Sequence, residues 1–530
     1  MKQQLDIAVF TVCVLLDAEV YEVYLSVIVS RFYSLREAAL HLMLDFYLPI
    51  KNNCRKKMRI PRFVLVCALC LLLTFSSVSA ISFEEIVSQR QSVRSYTTED
   101  ITSEQLMSVL WAAYGRIGSD RVVPKIGSDY SLAIYVVNST ASYLYDPEGN
   151  ALSLYNSSVN KETIRPNVFW VSDASAVLVI VWNLARMSNQ YFAALEAGCL
   201  TQNIHLGAIA QNLGTCCVGG AAFLGLSIDL NFDWDTLRPI LVMPLGFPLS
   251  AYPNATPAYE DMTGNLPLVQ LNSRSLTDVL NNIKYAQSWS EQSLSTQDIS
   301  QLLWAAYGYS STGHRTTPSA EGIYPLVVYV SYSTGVYQYI ADDHSVMQVQ
   351  SGDKRSEIAA ACGNQLWAAS APAIFLVAVD SSFNGGNIGD GGVLDHEWIN
   401  VDAGCVAQQI LLEASAANLA ANLIANGLET WNGEGAQLLR SSLNLSPEII
   451  ALCTVAVGYP VVPVTTPSPT PTYSPSPSAS PSPTPPPTPS ASPSPTPPPE
   501  SQSFLLVVMG LLLVGVPCLL VLLKWARKRE

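Results

Sequence analysis

The chain has 530 residues and sets 28 Lys and Arg against 42 Asp and Glu, for a net charge of −14. That balance excludes a nucleic-acid binder, because a phosphate backbone demands a basic surface. The length argues for two or three domains, and apolar runs at both ends account for part of the 49 % hydrophobic content.

In chain order, residues 1–57 read as a gene-model extension ahead of a true start at Met58. The alternative, a membrane segment within 10–29, is opposed by Asp17, Glu19 and Glu22. Residues 58–80 have the three parts of a secretory signal. These are the basic cluster Arg55-Lys56-Lys57-Met58-Arg59, an apolar run from Phe63 to Phe75, and the small-residue end Val78-Ser79-Ala80. Cleavage is expected after Ala80. No Cys follows at once, which argues against a lipoprotein.

The next stretch is Arg90-Gln91-Ser92-Val93-Arg94-Ser95-Tyr96. Its two guanidiniums and intervening hydroxyl form a compact donor set suited to a phosphate, since Arg presents a rigid, permanently charged fork of N–H groups. Taken alone the string is also compatible with a solvated loop.

A tandem repeat organises the globular part of the chain. Leu110-Trp111-Ala112-Ala113-Tyr114-Gly115 returns unchanged as 303–308. Glu196-Ala197-Gly198-Cys199-Leu200-Thr201-Gln202-Asn203 returns as Asp402-Ala403-Gly404-Cys405-Val406-Ala407-Gln408-Gln409. Order and spacing define two units of about 190 residues, at 81–260 and 261–462. Each unit opens with a capped helix, marked in the first by Thr102-Ser103-Glu104-Gln105 and the apolar face of Leu106, Val109 and Leu110. The matching face in the second is Ile299, Leu302 and Leu303, and Gly115 and Gly308 are expected to stop the helices. Strands are predicted at Ser131–Val137 and Leu326–Ser331, with hairpin-like stretches at 143–145 and 336–339. Strongly apolar strands follow at Ala176–Val181 and Ala373–Val379. Long helices carry the Ala-Gly-Cys repeat over Leu195–Leu213 and Val401–Ala425, and last strands end at Gly246-Phe247-Pro248 and Gly458-Tyr459-Pro460. The mixture reads as α+β.

Cys199, Cys216, Cys217, Cys362, Cys405 and Cys453 show neither a zinc spacing nor a small-domain disulfide framework. They are expected to be buried thiols, although composition leaves their redox state open. Sequons begin at Asn138, Asn156, Asn254 and Asn444. Residues 463–500 are Pro, Ser and Thr-rich and predict an extended stalk. Residues 504–523 form an apolar, charge-free run of membrane-spanning length. The basic tail 524–530 sets its C-terminus on the cytoplasmic side and the globular part outside.

These motifs together resemble the flavin-dependent nitroreductase family, with a closer likeness to its azoline-oxidising dehydrogenase branch. The marks are Arg90–Tyr96 before the Leu-Trp-Ala-Ala-Tyr-Gly helix, Pro318-Ser319-Ala320-Glu321-Gly322-Ile323-Tyr324-Pro325, Glu196-Ala197-Gly198 with Gln202-Asn203, and Leu213-Gly214-Thr215-Cys216-Cys217-Val218-Gly219-Gly220. The resemblance covers residues 81–460. It implies an α+β fold that pairs two units around FMN, here as an intrachain pseudo-dimer.

By that resemblance one unit supplies the phosphate string and the glycine-bearing backbone along the ring, and the other supplies the Pro-Ser loop. The first unit keeps Arg90, Gln91, Ser92 and Arg94, with Val218, Gly219 and Gly220. The second reads Ile283-Lys284-Tyr285-Ala286-Gln287 and Leu423-Ile424-Ala425-Asn426 at those places. The second keeps Thr317-Pro318-Ser319, where the first has Val123-Pro124-Lys125-Ile126-Gly127. The losses are complementary, so one complete FMN site per chain is expected. The basic residue that many members place after the last strand is missing; Arg274 is the first candidate and is distant.

The resemblance implies an oxidoreductase that takes electrons from a small-molecule donor and passes them to a small-molecule acceptor, with no metal and no protein nucleophile. The chain shows no nucleophile elbow or zinc-protease signature. His205 is expected to be structural, Trp111 and Trp304 to fill the core, Glu196 and Asp402 to cap or orient the long helices, and Tyr324 either to pack in the core or to line the pocket or donate a proton. Scarce nicotinamide outside a cell keeps two alternatives open: a non-catalytic surface or envelope protein that reuses the fold, and oxidative tailoring of an exported peptide.

Overall fold

The structure, a computed structural model, describes residues 81–168, 173–258, 264–383 and 396–461. The predicted signal, stalk, membrane segment and tail lie outside these residues. Among the described residues no helix is long and apolar enough to cross a membrane.

The first repeat begins with α1 (Phe83–Gln89) and α2 (Ser103–Tyr114) and the short strands β1 (Arg116–Ile117) and β2 (Asp120–Arg121). It continues with β3 (Leu132–Val137), β4 (Ser142–Asp146), β5 (Ala151–Asn156), α3 (Lys161–Ile164), β6 (Ala176–Asn183), α4 (Gln190–Ala210), β7 (Gly214–Thr215), α5 (Phe223–Asp229) and β8 (Leu237–Gly246). The second has α6 (Leu276–Asn281), α7 (Thr296–Tyr307), β9 (Leu326–Tyr332), β10 (Gly335–Ile340), β11 (Ser345–Ser351), α8 (Arg355–Ala361), β12 (Ala373–Asp380), α9 (His396–Ala416), β13 (Ala420–Ile424), α10 (Glu434–Ser442) and β14 (Ile449–Gly458). The two six-stranded sheets share one order, β5-β4-β3-β6-β8-β7 and β11-β10-β9-β12-β14-β13. All their strand pairs are antiparallel.

Sequence explains the placement. The central strands β6 and β12 are apolar on both faces and are buried on both, whereas β5 at one edge is mostly exposed. The capping boxes form as the motifs require: Thr102 with Gln105, and Ser295 with Asp298. Helices α4 and α9 lack a polar face and are buried nearly all round, the position such helices take.

The two long helices pack against each other where the small residues of the repeat meet. A Cβ on Gly198 would lie 2.0 Å from the Val401 carbonyl oxygen, and one on Gly404 would lie 2.2 Å from that of Leu195. The Cys199 and Cys405 thiols donate to the Gly404 and Gly198 carbonyls, at 3.4 and 3.2 Å. Of the six cysteines among the described residues, five are buried and Cys217 is half-buried, and all six are free thiols.

Several boundaries differ from expectation. The long helices stop at Ala210 and Ala416, and the end of the predicted second helix is the strand β13. Asn212 (φ 56°) and Asn418 (φ 60°) take the left-handed conformation. Leu213 and Leu419 then donate back to Ala208 and Ala414 at 2.8 and 2.7 Å, the Schellman closure that Asn tolerates. Gly115 and Gly308 do end their helices, but with negative φ. A side chain there would collide with Trp111 or Trp304.

Candidate functional site

After α1 the chain runs beside the end of the first sheet. Val93 N–H donates to Thr215 at 2.9 Å, and Tyr96 bridges to Pro248. This extended path turns Arg90 inward. Its side chain is 2 % exposed, and Nε donates to the Arg315 carbonyl of the other repeat at 2.7 Å. Nη1 is buried with no hydrogen-bond partner among the described residues. Burial pushes the Arg90 pKa down, opposed by nearby Tyr324, Cys405 and Tyr252, yet a guanidinium keeps its charge. A cation buried without an anion is costly. Gln91 and Ser92 are half-buried, and Arg94 is exposed.

His205 faces the same charges from α4. Neither ring nitrogen has a partner among the described residues. Burial, followed by the charges of Arg90 and Arg94, drives its pKa well below the usual histidine value. The ring is therefore neutral near pH 7, with one N–H to donate and one nitrogen to accept.

Val218 is held to Val242 by a pair of backbone bonds at 3.0 and 3.3 Å. The adjacent Gly219 lies against the indole of Trp398, which α9 contributes from the other repeat. A Cβ on Gly219 would meet that ring at 2.8 Å. Phe223 flanks Trp398 with ring centroids 6.2 Å apart. Gly220 is exposed.

Pro318 is buried and Ser319 half-buried. The Ser319 hydroxyl donates to Asp402 at 2.6 Å and accepts the Tyr324 N–H at 3.0 Å; the Ala320 N–H also reaches Asp402, at 3.0 Å. Burial pushes the Asp402 carboxyl up to about 7 against these bonds. Its counterpart Glu196 binds Ser131 and Tyr114 in the same manner. Both acids tie a loop to the long helix, the orienting role expected for them.

The structure thus joins the phosphate string to the residues just before the Pro-Ser loop. Burial, then the charge of Asp402, raises the Cys217 thiol pKa, and Arg94 lowers it. Arg274 serves elsewhere, since its Nη1 donates to the Ser415 carbonyl at 2.9 Å near the end of α9. The charge of Arg90 also reaches His314. Arg315, His314 and Trp398 stand outside the motifs by which the sequence marks the site. The repeat held a signal for the first, because Arg121 and Arg315 stand at matched places and lie over Tyr114 and Tyr307 at 4.3 and 4.6 Å.

The residues fit a flavin mononucleotide in one respect, since an unpartnered buried guanidinium asks for an anion, whereas at the proposed ring position the Trp398 indole already packs against Gly219.

The profile of the Nitroreductase family matches residues 87–247 and again 288–459. A Methanocaldococcus jannaschii protein named as a nitroreductase is 29 % identical over 164 residues, covering 30 % of this chain and 81 % of the relative. The crystal structure of a protein from Anabaena variabilis, described as a nitroreductase, superposes with a TM-score of 0.54. It is 16 % identical and covers 71 % of this chain and 91 % of its own. A further structure, from Desulfovibrio desulfuricans and described as a nitroreductase in complex with FMN, is 20 % identical, with a TM-score of 0.24 and coverage of 31 % and 85 %.

Proposed function

The chain belongs to the nitroreductase family, and from that premise we propose that it is an exported, membrane-anchored FMN-dependent oxidoreductase. Its two repeats form an intrachain pseudo-dimer holding one flavin. The observation that carries this reading is Arg90, buried, charged, bonded to the opposite repeat and left with an unpartnered Nη1.

Bound there, the flavin would accept and return electrons as a hydride or singly. Arg90 and Arg94 would hold its phosphate through charge-assisted bonds, with Ser92 and the neutral His205 as further donors. Val218, Gly219 and Gly220 would run along the ring, with the loop at Pro318 and Ser319 supporting it from across the boundary. Asp402 fixes that loop, and Trp398 walls the cleft. Donor and acceptor would be small molecules using the same cleft in turn.

Export and anchoring rest on the signal-like start, the stalk and the apolar C-terminal run. The sequon residues Asn254 and Asn444 are exposed, in keeping with an outside location. Sequencing the mature N-terminus should give residue 81, and glycosidase should shift the protein's mobility if the host glycosylates it.

Trp398 against Gly219 favours a second reading, a surface binding protein that kept the fold and lost the flavin. The absorption spectrum of the purified full chain separates the two. A yellow chromophore, or one acquired from added FMN and lost in Arg90→Ala/Arg94→Ala, supports the enzyme. No uptake at all rejects it.

A further inference from the structure

The internal symmetry that creates one flavin cradle also creates its counterpart. Ala286 N–H bonds Ala421 as Val93 bonds Thr215. Ile283, Tyr285 and Gln287 therefore stand where Arg90, Ser92 and Arg94 stand in the first repeat. The Tyr285 hydroxyl donates to the Arg121 carbonyl at 3.1 Å, as Arg90 does to Arg315. The counterpart has not collapsed. It is a cavity of about 570 Å³ whose lining includes Asp120, Lys125, Tyr285, Gln287, Trp367 and Asn422, a size ordinary for small-molecule sites.

Its charge pattern differs from that of the flavin cradle. Asp120 occupies the place of His314, at the end where the string has lost both guanidiniums. Lys125 occupies the place of Ser319 and also lines the cavity. Neither forms an ion pair among the described residues, and the only hydrogen bond to the Asp120 carboxylate there is a long one from Ser119 at 3.4 Å. Trp367 is fixed by its bond to Gln365 at 2.7 Å and by stacking on Trp289 at 5.7 Å. The cavity lining thus combines an acid, a base, carboxamides and a positioned aromatic wall. A phosphate has no donor pair there and would meet a carboxylate.

We infer that this cavity is a second ligand site, built for a small zwitterion of amino-acid or dipeptide size. Its ammonium would sit by Asp120, its carboxylate by Lys125, and its side chain by Trp367. The inference does not depend on flavin occupying the first cradle: one is read by absorbance, the other by titration.

The test uses the full chain, titrated singly with the twenty common L-amino acids and with glycylglycine, by thermal shift and then calorimetry. At least one probe should raise the midpoint and bind one per chain. Asp120→Asn and Lys125→Met should each weaken that binding tenfold or more, because each removes one charge-assisted contact. Asn426→Trp, at the exposed rim, should abolish it by filling the space, and Arg90→Ala should leave it intact. The proposal is overturned if no probe binds, if binding ignores both charge variants, or if the chain takes up two flavins.

Discussion

Gly198 and Gly404 meet backbone to backbone, so that a Cβ on Gly198 would come within 2.7 Å of the Gly404 Cα. The atoms in the way belong to main chain and cannot rotate aside. Gly198→Ala or Gly404→Ala should therefore destabilise the protein by about 1–3 kcal/mol, the range for overpacking a core. A denaturant midpoint measured against a Gly207→Ala control checks this, since the nearest atom to a Cβ there is a side-chain methyl at 3.0 Å.

Arg90→Met should separate binding from folding. It removes a cation that lacks an anion in the flavin-free protein, and it also loses the bond to Arg315. The two effects offset, so the melting temperature without flavin should hold or rise while FMN uptake disappears. A large loss of stability with uptake retained would reverse the assignment of Arg90.

Gly219 and Trp398 should be energetically coupled. Gly219→Ala should cost about 1–2 kcal/mol, by pushing on the indole, and Trp398→Ala should relieve most of that cost. A double-mutant cycle on unfolding free energy should return a coupling of about 0.5–2 kcal/mol. An additive result would mean that the indole already has room to move.

Glu413 supplies a pH signature. Burial, then the charge of Glu84, holds its carboxyl well above the ordinary value of 4.5, and Glu84 is raised chiefly by its own burial. A raised acid keeps its proton in the folded state after the unfolded chain has lost it. Its contribution is complete below pH 4.5 and fades as pH climbs toward the folded-state value. Asp402 adds the same slope from its ordinary 3.8 up to about 7. Stability measured from pH 4 to 8 should fall less steeply in Glu413→Gln than in the parent.

Much of this architecture was legible in the sequence, for reasons that differ by element. The repeat carried its own alignment, and β6 and β12 announced themselves as uninterrupted apolar runs. The capping boxes marked helix starts because they are local chemistry. The ends of the long helices were not legible, since a left-handed Asn at 212 or 418 looks like any polar residue in a string of letters. Edge strands such as β5 hid because a mostly solvated strand lacks an apolar signal. In the cradle, the string and the Pro-Ser loop were readable as motifs. Trp398 was not, because its nearness to Gly219 exists only once α9 crosses α4.

Joining the halves in one polypeptide has a consequence for their histories. In a symmetric pair of identical subunits, any substitution appears in both clefts at once, and a change that suits one ligand is imposed on its twin. A single chain lifts that constraint: Ile283 and Gln287 could displace arginine on one side while Arg90 and Arg94 stayed on the other. Dilution cannot separate the pieces either, so an isolated molecule keeps both clefts assembled at any concentration.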